Sequence, residues 1–231
     1  MKLEVSNRLK KIIEMVDTAN TVADIASDHG YVPITLLNED KIKSAIATDI
    51  NIKPIENLKK NIELYLSPDK KKYIDVRLGD GLQVIDKNEA DVIIISGIGF
   101  DLMAEILTNI DEYNFKYLIL SSQSKYYQFR KFLHSKKLKI IDEAFVVEDN
   151  KEYFIQKVIQ TDTIQHFDDE SFYMYSEILI KNKNKELYTY IDKRINRLKH
   201  IISNIDKQNE KYDILNNELD LSYKAIEYYG V

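Results

Sequence analysis

Carboxylates recur where short apolar runs end. Asp24 and Asp28 close TVADIASDHG, Asp49 closes SAIATDI, and Asp80 sits in GDG after IDVRL. Ser96, Gly97 and Gly99 follow the run DVIII in the same way, within ISGIG. A carboxylate so placed can accept from the hydroxyls of a ribose, and a small residue lets backbone approach a ligand closely. One such acid would say little. Asp24 or Asp49 could cap a helix, Asp80 or the GIG segment could shape a turn, and His29 could be a surface histidine. Repetition at successive run ends favours a nucleoside-type cofactor. The first turn lacks a full G-x-G-x-x-G, so the pyrophosphate cradle of a dinucleotide is not expected, and an NAD-dependent oxidoreductase is disfavoured. A sulfonium donor carries positive charge and no pyrophosphate, so negative side chains suit it better than they suit NAD or ATP. The residues favour S-adenosyl-L-methionine.

The elements that must position these residues are visible as periodicities. Leu9, Ile12, Ile13 and Val16 recur at helical spacing with Ser6 as N-cap. Strand-like runs then alternate with helical stretches, one of them carrying Pro54 near its start and Leu58, Ile62 and Leu66 behind it. KIIDEAFVVE and EYFIQKVIQ, separated by a few residues around Asn150, predict a hairpin. This order predicts a doubly wound, mostly parallel α/β sheet with right-handed crossovers and an antiparallel edge. Beyond Gln160 the polar TDTIQHFDDE reads as a linker, and the strand signals stop. One apolar stripe runs through Leu187, Ile191, Ile195, Leu198, Ile202 and Ile205, and another through Leu215, Leu219 and Ile226. These predict an antiparallel helical pair. The expected division is residues 1–160 for the sheet domain and 161–231 for the helical one.

Composition narrows the class. The chain has 231 residues, 44% hydrophobic and 31% charged, with a net charge of −5 and no cysteine. Disulfides, a thiolate nucleophile and cysteine-based zinc sites are excluded. The four histidines are scattered, and no metal site is expected. No run is apolar enough for a signal peptide or a membrane span, which makes the cytoplasm the expected location. A net negative charge leaves room for a local basic face.

DIASDHGYVP, ATDINIKP, RLGDGL and ISGIG, in this order across nearly the whole chain, resemble the bacterial tRNA (adenine-22 N1)-methyltransferases. The resemblance implies a Rossmann-like class I methyltransferase sheet followed by a helical, coiled-coil-like domain. It implies methyl transfer from S-adenosyl-L-methionine to N1 of an adenine in tRNA. Asp24, Ser27, Asp28 and His29 match the family's first motif, where Ala26 replaces a glycine. Tyr31 and Pro33 match residues that shape the pocket. Asp49 matches the ribose position, while Asp80, Gly81 and Leu82 match the turn that holds the donor's adenine. Gly97 and Gly99 match the turn where donor and target base meet, beside Ser96. Phe100 stands where the family has glycine, and Ser121, Ser122 and Gln123 stand where it has Gln-Pro-Asn.

On this reading Asp28 stabilises the cationic methylated base, His29 and Tyr31 orient or stack it, and Gln123 supplies a base-positioning amide. Lys125, Arg130, Lys131, Lys136, Lys137 and Lys139 offer phosphate contacts near the fifth strand. Between Lys181 and Lys199 the helical part carries a local excess of five positive charges, with Arg194 and Arg197 as the leading tRNA contacts. A monomer is expected. Two other readings stay open: a methyltransferase for another RNA site or a small molecule, and an RNA-binding protein that keeps the fold without catalysis.

Overall fold

A computed structural model describes residues 3–230. The chain forms α1 (Asn7–Met15), β1 (Ala19–Ile25), α2 (Tyr31–Asn38), β2 (Ile42–Asp49), α3 (Ile52–Tyr65), β3 (Ile74–Leu78) and β4 (Val92–Ile98). It continues with α4 (Phe100–Ile106), β5 (Tyr117–Ser122), α5 (Tyr126–Ser135), β6 (Leu138–Glu148) and β7 (Lys151–Gln160). Helices α6 (Glu170–Tyr175), α7 (Glu177–Lys181), α8 (Lys185–Asn204) and α9 (Tyr212–Glu227) complete it.

The sheet has seven strands in the order β3-β2-β1-β4-β5-β7-β6. Strands β1 to β5 pair in parallel, whereas β7 is antiparallel to both β5 and β6. The hairpin turn is Asp149–Asn150, with φ of +50° and +59°, the left-handed backbone that a tight two-residue turn requires. The strand order reverses between β1 and β4, so the crevice for a ligand opens above their carboxyl ends.

Strand β4 shows why these sequences settle where they do. Val92 to Ile95 are at most 1% exposed. Val92 and Ile94 join the core on one face of the sheet, Ile93 and Ile95 the core on the other. A two-residue side-chain period therefore serves both layers, and each isoleucine buried contributes about 1.5–3 kcal/mol. Helix α1 begins as its sequence predicts, with the Ser6 hydroxyl accepting from the Leu9 N–H.

The helical region rests on the hairpin. Phe145 of β6 and Phe154 of β7 share a core with Phe172, Tyr175, Leu179, Ile180, Leu187 and Ile191. The predicted stripe of α8 is buried at Leu187, Ile191, Ile195 and Leu198. On α9 the predicted Leu219 and Ile226 pack, half-buried, against this core, Leu215 is half-buried too, and the fully buried residues are Leu221, Ser222 and Ala225. A polar contact also crosses the junction. The Ser222 hydroxyl meets the Tyr175 hydroxyl at 2.7 Å and donates to the Glu218 carbonyl. Among the described residues no helix is long and apolar enough to cross a membrane.

Candidate active site at the carboxyl ends of the sheet

Parallel pairing brings the acids of successive strand ends onto one rim. A pocket above β1 and β4 is lined by Asp24, Ala26, Ser27, Asp28, His29, Tyr31, Ser96, Gly97 and Gln123, all expected from the sequence. Arg8 from α1 lines it too, and the sequence pattern did not point to it. Asp49 ends β2 and is buried, with its Oδ1 accepting from the Asn51 N–H at 2.8 Å. Asp80, Gly81 and Leu82 line a second, smaller pocket with Leu102, Ile106 and Tyr113. Gly99 lies beside these pockets rather than in them, as the N-cap of α4. The order along the rim, from Asp24 past Asp49 to Asp80, suits an elongated ligand with a polar end, a ribose and a base.

The capping alternatives for the acids do not describe this rim. The N-cap of α2 is Gly30 with no side-chain cap, and the N-cap of α3 is Asn51. Asp24 lies inside β1 and Asp28 before Gly30, so neither carboxylate serves as a helix cap. Gly30 itself is required: its φ is +67°, and an added Cβ would meet Leu58 Cγ at 2.9 Å.

The electrostatics differ along the pocket. Asp24 is 5% exposed, and burial pushes its carboxyl up to about 7, against the Ser27 hydroxyl that donates to it at 2.5 Å and the positive charge of Arg8. Asp28 is open, with its side chain 62% exposed, and its Oδ2 lies 3.2 Å from His29 Nε2. The His29 ring stacks on Tyr31 at 5.2 Å and 17°, and Tyr31 meets Tyr65 edge-on. A flat aromatic surface thus flanks an exposed carboxylate. That pairing can hold a planar base and stabilise positive charge on it.

The departures from the family pattern leave the pocket open. Ala26 adopts φ +58°, a left-handed backbone that favours the glycine it replaces and costs about 1–2 kcal/mol. Phe100 turns into the core against Phe129 and Phe132, away from the pocket. The Ser122 hydroxyl donates to the Ser124 carbonyl and accepts from its N–H, holding by hydrogen bonds a turn the family builds with proline. Gln123 stays exposed at the pocket mouth, with its N–H on the Ile98 carbonyl.

Gln123 also opens a second space. A groove of about 670 Å³ runs from Gln123 past Tyr126, Tyr127 and Tyr190 to Lys193, Arg194 and Arg197. Of the expected phosphate contacts, Lys193 and Arg197 are exposed. Arg194 is engaged by Glu218 at 2.6 and 2.9 Å, Lys125 pairs with Asp101, and Lys131 pairs with Glu170.

Arg130 is a correction. Its side chain is fully buried, so it makes no phosphate contact. Its Nε and Nη2 donate to Glu143 at 3.1 and 2.9 Å, and its Nη1 donates to the Tyr173 and Met174 carbonyls at the end of α6. Gln156 donates to the same Glu143 oxygen. A polar pair facing inward on β6 and β7, Glu143 opposite Gln156, was the signal that this interior needed a buried cation.

Known proteins are similar to this chain in sequence and fold. The methyltransferase domain family model matches residues 5–156. The tRNA (adenine(22)-N(1))-methyltransferase of Bacillus subtilis (strain 168) is 31% identical over 229 residues, covering 97% of this chain and 94% of that protein. The structure of M. capricolum TrmK in complex with S-adenosyl-homocysteine superposes with a TM-score of 0.83 at 28% identity, covering 97% and 99% of the two chains. A Streptococcus pneumoniae protein solved with S-adenosyl-L-methionine gives a TM-score of 0.83 at 26% identity, covering 96% and 100%. With 31% identity to the Bacillus subtilis enzyme over nearly the full length of both proteins, the chain belongs to the tRNA (adenine(22)-N(1))-methyltransferase family.

Proposed function

We infer that this protein methylates N1 of adenine 22 in tRNA, with S-adenosyl-L-methionine as the methyl donor. The observation that carries this reading is the convergence of a buried carboxylate, an exposed carboxylate and a stacked aromatic pair on one pocket at the sheet's switch point. The residues fit the donor: Asp24 is a buried carboxyl short of a positive partner, Asp49 stands at the ribose position, and Asp80 and Ile106 border an adenine-sized recess. The bound donor supplies an electrophilic methyl group on a sulfonium centre. Adenine N1 is unprotonated at neutral pH and needs no strong base, so the protein's task is alignment in a dry pocket. Asp28 stabilises the positive charge that develops on the base, His29 and Tyr31 stack it, and Gln123 fixes its edge. The target base sits within folded tRNA and must turn outward to reach this pocket. Residues 1–160 hold the donor and residues 161–231 contact tRNA, the groove from Gln123 to Arg197 joining the two. The protein acts as a monomer in the cytoplasm.

Incubation with unmodified tRNA, followed by nucleoside mass analysis and position mapping, is expected to yield 1-methyladenosine at position 22. A different methylated nucleoside, or none, sinks the reading.

Asp24 makes donor binding pH-dependent. Its carboxyl ionises near 7 in the donor-free protein, and only the ionised form attracts the donor's α-ammonium group. Affinity is therefore expected to rise about tenfold per pH unit up to about 7, and to fall above about 8 as the donor's own α-amino group deprotonates. The protein alone behaves oppositely. A raised acid pKa means the folded state holds the proton more tightly than the unfolded one, so its stability declines as pH rises from about 4 to about 7. Calorimetry across this range checks both, and a flat affinity profile contradicts the role of Asp24.

The groove carries its own expectation. Arg197→Ala is expected to lower the salt slope of tRNA binding by about one, the loss of one phosphate contact. Arg194→Ala lowers it less, because Glu218 already engages that guanidinium. Equal, unchanged slopes in filter binding over a range of salt would remove the groove from the tRNA path.

A further inference from the structure

Helix α1 brings a cation into the donor pocket and leaves it unpartnered. Arg8 Nη1 is buried and has no hydrogen-bond acceptor among the described residues. Buried polar groups are nearly always bonded, and a desolvated charged donor left without an acceptor is unfavourable unless a ligand completes it. The guanidinium is also held in place. Its Cζ lies 5.3 Å from the centre of the Tyr153 ring, a cation–π contact that tethers it. A Cβ built on Gly97 would lie 3.7 Å from Nη1 and 3.9 Å from Nη2, so both terminal nitrogens of the fork stand over that turn. Gly97 has φ +84° and keeps the space clear. Asp24 feels the charge of Arg8, but its hydrogen bond goes to Ser27.

One pocket thus holds a buried carboxyl without an ion-pair partner and a half-buried guanidinium whose Nη1 has no acceptor among the described residues. A zwitterionic α-amino acid end matches that pair, its ammonium toward Asp24 and its carboxylate toward Arg8. We propose that Arg8 receives the α-carboxylate of the methyl donor through its planar fork, which makes α1 part of the donor site. This rests on the donor reading given above. The shared chemistry is an oxyanion, and the other source is a phosphate of the target nucleotide. The carboxylate is favoured because the free nitrogen is buried in the pocket beside Asp24 and Gly97, whereas a phosphate would arrive along the open groove.

The test is calorimetry on wild type, Arg8→Met and Arg8→Lys with three probes. These are S-adenosylhomocysteine, its decarboxylated analogue that keeps the amine, and 5′-methylthioadenosine, which has neither group. Wild type is expected to prefer S-adenosylhomocysteine over the decarboxylated analogue by about 10- to 100-fold, the range for a charge-assisted hydrogen bond. In Arg8→Met that preference collapses while 5′-methylthioadenosine binds as before, and Arg8→Lys recovers part of it. Equal losses for all three probes would show that Arg8 only supports the fold. An intact preference with weakened tRNA binding would assign the anion to phosphate. Either result overturns the assignment. Wild type that binds none of the probes overturns the donor reading itself, and that outcome is distinct from the other two.

Discussion

Asp28→Asn is expected to lower kcat by about 10²-fold while leaving the donor dissociation constant near its wild-type value. Methylation at N1 turns a neutral adenine into a cation, so a nearby carboxylate gains attraction only as the transition state is approached. An interaction of that kind moves kcat and not binding. Asparagine keeps the size and hydrogen-bonding reach of the side chain and removes the charge. The structure supports Asp28 for this part over the other acids. Asp24 is buried beneath the pocket and Asp49 is occupied with the Asn51 N–H, whereas Asp28 is open beside the His29–Tyr31 stack. Nor does Asp28 cap α2, whose N-cap is Gly30. The readout is single-turnover methylation of tRNA together with calorimetric donor binding. Comparable losses in both would mean that Asp28 shapes the donor site rather than the methyl transfer.

Arg130→Met is expected to cost about 3–5 kcal/mol of folding stability and to leave the salt dependence of tRNA binding unchanged. The substitution keeps much of the side-chain volume but abandons Glu143 as a buried, unpaired charge. It also frees the Tyr173 and Met174 carbonyls that Arg130 satisfies at the end of α6. These contacts join α5, β6 and α6, so the loss loosens the seat of the helical region on the hairpin. Replacing Glu143 with leucine in the same protein should recover part of the loss, because the orphaned charge is gone. Urea denaturation measures the cost, and filter binding over a salt series measures the slope. A variant with wild-type stability and a weakened tRNA slope would return Arg130 to the RNA surface.

The strand-end acids show what could be read from one dimension. Parallel strands joined by crossovers all end on the same side, so an acid at the close of each apolar run must arrive at a common rim, whatever the details of packing. Asp24, Asp49 and Asp80 were legible for that reason. The helix starts at Ser6, the hairpin at Asp149–Asn150 and the central strand at Val92–Ile95 were legible because each follows from local chemistry within a few residues.

What the tertiary structure alone decided concerns partners far apart in the chain. Arg130 looks like one more basic residue on an amphipathic helix until β6, β7 and α6 close over it and supply Glu143 and two carbonyls. Arg8 looks like a surface residue of a short first helix until that helix lies across the sheet ends and carries the guanidinium to Gly97. On α9 the predicted Leu219 and Ile226 do pack against the helical core, but the buried Tyr175–Ser222 hydroxyl pair beside them joins residues 47 apart and was not in the leucine spacing. Apolar periodicity reports which residues avoid water, and it is a property of neighbours in sequence. The pairing of a buried charge is a property of neighbours in space, so only the folded chain assigns it.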